Sequence, residues 1–208
     1  MINLQNIRIF LTASSLAFIA AGLCTGAFWL STLPFESFAG SEVTQHSLFI
    51  PGQVLHLVAA ILTALGLCSI YLTTQLKNHI ALLAFLLCLT GALAFLVDAA
   101  IALVTFPAIA VAAPELLEPN GAMFGGWVLG FYVGFSVLQM FGYISFGVVC
   151  WLSGKLPKDG CALLVIGGVI ANLPPTPGMH WLLIIGGLLW STGAVRLGMS
   201  ALHQARQI

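Results

Sequence analysis

Leu93-Ala94-Phe95-Leu96-Val97-Asp98-Ala99-Ala100-Ile101-Ala102-Leu103-Val104 is an apolar run broken by one carboxylate, Asp98. No other charge falls between Lys77 and Glu115, so the run reads as part of a membrane-crossing helix. A carboxylate at that depth needs a partner, a proton or a water-filled cavity, because hydrocarbon offers no hydrogen bonds. The preceding apolar segment supplies a partner, His56. Folded as a hairpin about Leu76 and Lys77, the chain places His56 about 21 residues before the turn and Asp98 about 21 after it. At about 1.5 Å rise per residue the two reach the same depth. The expectation is a His56–Asp98 pair across the second and third helices, in the outer third of the membrane.

Composition extends this reading to the whole chain. Of 208 residues, 60% are hydrophobic and 6% charged, with mean hydropathy +1.09. A soluble domain carries about a quarter charged residues, so this chain cannot cover a globule with a wetted surface. The expected fold is all-α, a polytopic integral membrane protein forming a six-transmembrane-helix bundle. It is expected as one domain over residues 1–208, with no separate soluble part. Helices are expected over about 8–30, 51–73, 80–106, 122–153, 157–173 and 180–202, with Pro107 ending or kinking the third. The expected partner is the lipid bilayer. With zero net charge and no basic run, nucleic acid is not an expected one.

Four local features refine the topology. The N-terminal segment resembles a signal peptide, with Arg8 before an apolar run to Leu30. That run is too long for a typical h-region, and Leu23 before Cys24 spoils a lipoprotein cleavage box, so an uncleaved first helix is expected. Arg8, Lys77, Lys155, Lys158, Arg196 and Arg206 fall on one side of six spans, and Glu36, Glu42, Glu115 and Glu118 on the other. The positive-inside rule then places both termini in the cytoplasm, in an inner or plasma membrane. Cys161 to Leu173 rises only about 20 Å before Pro174, so the fifth helix must borrow Leu156 and Pro157, thin the bilayer or be re-entrant. In the fourth helix Gly126, Gly130, Gly134 and Gly142 follow a four-residue rhythm, read as a ridge for close packing of another helix, a partner membrane protein or a second copy.

Chemistry-bearing residues are few. Gln53 precedes His56 by one helical turn, and Thr105 follows Asp98 by two. His180, His46, Glu115 and Glu118 belong to the same outer side. His56, Asp98, Gln53, Thr105 and His180 are therefore the candidates for a ligand-binding or proton-linked site, with a structural interhelical hydrogen bond as the plainer alternative. Metal binding stays undetermined. Haem would need two axial ligands, and His56 with His180 is the one histidine pair within reach of a common depth. Cys24, Cys68, Cys88, Cys150 and Cys161 form no CxxC or zinc spacing and read as small packing residues. No GxSxG, HExxH, P-loop or GxGxxG pattern occurs, which leans away from an enzyme. The aromatic-rich fourth helix, with Trp127, Phe131, Tyr132, Phe135, Phe141, Tyr143 and Phe146, could line an apolar site. The expected function is binding or passing a small, mostly apolar ligand from the outer side. The alternatives are a redox or haem-anchor subunit, and a structural accessory subunit.

Overall fold

In the computed structural model, residues 4–35, 40–76, 78–174 and 178–207 are described. They form α1 (Leu4–Ser31), a short α2 (Ser41–Gln45), α3 (Phe49–Thr74), α4 (His79–Ala112), α5 (Gly126–Ser153), α6 (Lys158–Ala171) and α7 (His180–Ala205). There is no strand among the described residues. Five helices, α1, α3, α4, α5 and α7, are long and apolar enough to cross a membrane. Lys77 and Glu36, used above for sidedness, lie outside the described residues.

Local chemistry sets the helix ends. Pro51 sits in the first turn of α3, where its missing N–H would have no partner in any case. Asn78 caps α4, its Oδ1 accepting from Ala81 N at 2.8 Å. Gly154 takes the left-handed conformation that ends α5. The third span does not stop at Pro107: α4 continues to Ala112, with Phe106 and Ala110 buried on either side of the proline. Proline removes one backbone bond, and packing of that last stretch outweighs the loss.

The long helices form a ring. Each packs against the one before and after it in the chain, and α7 closes onto α1. Ring contacts set α3 antiparallel to α4, His56 meeting Phe95 and Tyr71 meeting Phe85, and close contacts at glycines give the direction of the other five pairs. Gly52 meets Ser31 and Gly66 meets Phe18, so α1 and α3 run antiparallel. Gly91 against Gln139 and Gly142 against Cys88 show the same for α4 and α5. Gly168 and Gly147 do so for α5 and α6, and Gly167 and Gly193 for α6 and α7. Gly22 and Gly198 complete the ring between α1 and α7.

The two ends of this up-and-down ring differ in chemistry. At one end Arg8 donates to Arg206 O at 3.4 Å, Gln204 donates to Lys155 O at 2.7 Å, and Arg196 pairs with Asp159. At the other, Gly40 N bonds Leu117 O at 2.7 Å and Gln45 Nε2 bonds Ala110 O at 3.2 Å. These bonds tie the α1–α3 connection to the α4–α5 connection, where Glu42, Glu115 and Glu118 lie.

The short α6 is lengthened by the chain in front of it. Lys155 lies beside Gln204 and Asp159 beside Arg196, so the chain travels two turns of α7, about 12 Å, between Lys155 and the first turn of α6. Leu156 is buried within that extended stretch. Adding about 18 Å for the rest of α6, from Asp159 to Ala171, gives a reach close to a hydrocarbon core of about 30 Å.

The glycine rhythm of α5 does not form one ridge. Only Gly142 meets another helix, at Cys88 and Leu87 of α4, while a Cβ added at Gly126, Gly130 or Gly134 would have no neighbour within 4 Å. The cause is geometric: a step of four residues turns about 40° beyond a full turn, so Gly126 and Gly142 stand about 160° apart. Toward the acidic-loop end, α4 meets the start of α5 through Phe106, Met123, Phe124 and Tyr132 instead. The close glycine packing lies on α6 and α7, whose backbones approach at Gly160, Gly167, Gly186 and Gly193.

Candidate functional site

His56 is buried on α3 and held by aromatic rings. Phe28 of α1 stacks on its imidazole with centroids 4.2 Å apart, and Phe95 of α4 packs edgewise at 3.8 Å. Its Nδ1 lies 3.4 Å from Gln53 Oε1, one turn earlier on the same helix, and its Nε2 has no hydrogen-bond partner among the described residues.

Asp98 follows Phe95 by one turn, so the expected common depth places His56 against α4 near the carboxylate. No hydrogen bond or ion pair joins the two among the described residues. The contact goes to Phe95, and Asp98 has Tyr132 of α5 as its electrostatic neighbour. Equal depth fixes height along a helix and leaves rotation free, which is where the expected pairing and the observed contact part. Thr105 is partly buried further along α4. His180 bridges α7 to α1, with its Nε2 3.0 Å from Thr32 O. His46 packs edgewise on Phe35 at 5.1 Å, and its Nδ1 accepts from Leu48 N at 3.2 Å.

Beside Phe95 the ring forms a partly open pocket of about 30 Å³. Five helices line it: α1 with Thr25 and Trp29, α4 with Phe95, α5 with Gln139 and Tyr143, α6 with Gly168, Ala171 and Asn172, and α7 with Gly187 and Trp190. Its polar groups are neutral. Gln139 and Tyr143, buried and one turn apart on α5, are linked by Gln139 Nε2 donating to the tyrosine hydroxyl at 3.0 Å. Asn172 Nδ2 donates to Gly168 O at 2.7 Å, closing the C-terminal end of α6. Trp190 packs on Phe18 and Tyr143, and its buried Nε1–H has no partner among the described residues. Leaving such a donor unmatched costs about 1–3 kcal/mol.

Glycines let the pocket walls close. Gly168 lies against the Tyr143 ring, and Gly187 lies against the Trp29 ring. A second cavity of about 380 Å³ opens between α5 and α6, where Gly147, Val148, Leu152 and Val165 offer only apolar surface. That suits a lipid chain and carries no recognition chemistry.

Sequence alone presents Tyr143 as one aromatic among several and does not single out Gln139, Asn172, Thr25 or Trp190. One signal exists: Gln139 is the sole amide side chain in α5, one turn before a tyrosine. Nothing in the sequence marks Trp190, because its partnerless indole follows from tertiary packing. Among the described residues no group of three His, Cys, Asp or Glu side chains is placed to hold a metal. The chain matches no known protein family, no curated protein and no solved structure.

Proposed function

We propose that this is a six-span membrane protein, both termini cytoplasmic, that binds a small, mostly apolar ligand reaching it from the outer side. The observation that carries the reading is the pocket at the centre of the ring. Trp29, Phe95, Tyr143 and Trp190 supply its walls, and Gln139, Asn172 and Thr25 its few polar groups. An apolar lining with a few converging polar groups is the chemistry of a small-molecule site, here on the scale of one end of a ligand. The outer approach rests on Trp29 and Asn172, which stand near the helix ends on the side of the acidic loops. The six-span topology is supported by the alternating ring, the clustered basic residues and the extended lead into α6.

Cysteine labelling in intact cells checks the topology. A cysteine placed at Asn120 should react with an impermeant maleimide, and one placed at Gln207 should not; labelling of Asn120 only after lysis overturns it.

Extraction of the purified protein followed by mass spectrometry checks the function. The expected result is one apolar compound enriched over bulk lipid, lost at least tenfold in Gln139→Leu. Equal recovery from both proteins rules out the pocket as its seat. The unpartnered Nε2 of buried His56 favours a second reading, a haem anchor. A Soret band that disappears in His56→Leu would replace the first reading with that one.

A further inference from the structure

We infer that the pocket recognises a neutral, hydrogen-bond-accepting oxygen, the carbonyl or ether end of an otherwise apolar molecule. This deepens the proposed function and rests on the pocket being a ligand site. Its donors decide the chemistry. Trp190 Nε1–H is buried and unpartnered, in a side chain that is 4% exposed and lines the pocket. The Tyr143 oxygen accepts from Gln139 Nε2, so its own O–H proton is left for another acceptor. An indole N–H can only donate. The missing group at Trp190 is therefore an acceptor, and Tyr143 can supply a second hydrogen bond to the same oxygen.

Charge and size narrow the class further. The pocket lining contains no Asp, Glu, Lys, Arg or His. A carboxylate or phosphate would enter without a compensating cation, which costs far more than a neutral oxygen does. A volume of about 30 Å³ admits one oxygen-sized group. Only the oxygen end fits there, so the apolar remainder of the ligand lies outside the cavity, on its open side. A water molecule offers the same oxygen without a tail, and the test separates the two sources.

The test uses the whole protein in detergent micelles, with ¹⁵N-labelled indoles on its five tryptophans. Trp190→Phe identifies the Trp190 resonance. Should that variant not fold, Phe substitutions at Trp29, Trp127, Trp151 and Trp181 assign it by elimination. The probe is 2-undecanone, and n-undecane is the control without the oxygen. The expected result is a saturable downfield shift of the Trp190 indole N–H with the ketone and none with the alkane. Tyr143→Phe should weaken the ketone about tenfold, the value of one hydrogen bond of about 1.4 kcal/mol. Equal responses to ketone and alkane overturn the inference. So does an indole N–H already bonded to water, seen as a water cross-peak that the ketone leaves unchanged. Ligand loss in Gln139→Leu without any ketone shift would remove the inference and leave the proposed function standing. A ketone shift with no compound recovered from the native protein would do the reverse.

Discussion

Gly167→Val should unfold the α6–α7 half of the ring, whereas Gly130→Val should leave stability within about 0.5 kcal/mol of wild type. A Cβ on Gly167 would meet Gly186 O at 2.6 Å and Trp190 Cα at 2.7 Å. Both are backbone atoms of α7, so no side chain can swing aside, and the two helices must separate. Overpacking of this kind costs about 1–3 kcal/mol where the surroundings relax, and more where they cannot. The loss should appear as a lower midpoint of unfolding in mixed micelles and as trypsin cleavage near Lys158. Gly130 has nothing within 4 Å, so a valine there faces the bilayer. Valine is also the better lipid-facing residue. If Gly130→Val destabilises as strongly as Gly167→Val, the start of α5 is in contact with another helix, as in a second copy of the chain.

That contrast shows which parts of the fold are legible in the sequence. Hydropathy places the long helices, because membrane-length apolar runs have no other use. The grouping of basic residues is legible too, and the structure gathers Arg8, Lys155, Lys158, Arg196 and Arg206 toward one end of the ring. Rotation about the helix axes is not legible. The four-residue rhythm in α5 looks like one face, yet about 40° of drift per step carries Gly126 and Gly142 nearly opposite each other. The glycines that bring α6 against α7, Gly160, Gly167, Gly186 and Gly193, lie on two helices and can be matched only once their antiparallel register is known. The site divides in the same way. His56 stands out as a polar residue in an apolar run, and its aromatic clamp of Phe28 and Phe95 does not. Gln139 and Trp190 belong to different helices, and only the closed ring brings them to one pocket.

Asp98→Leu should raise stability by about 1–3 kcal/mol, the usual cost of a polar group held in apolar surroundings without a hydrogen bond. The reason is the absence of any hydrogen bond or ion pair to this side chain among the described residues. Its neighbours on α4 are Phe95, Ala94, Ala99 and Ala102, and across on α5 is Tyr132. Had Asp98 been bonded to His56, removing it would have stranded a buried imidazole and lowered stability. The sign of the change therefore separates the two arrangements. Leucine adds apolar contact to the α4–α5 hairpin and removes a group that must be neutralised or hydrated at that depth. The measurement is the unfolding midpoint of Asp98→Leu and of Asp98→Asn in mixed micelles. Leucine should lie above wild type, with asparagine between the two. A drop of more than about 1 kcal/mol in Asp98→Leu would mean that the carboxyl has a partner, with His56 the first to examine. A gain in stability accompanied by loss of the co-purifying compound would have a different consequence. It would place Asp98 on the ligand's path, retained for function at the expense of packing.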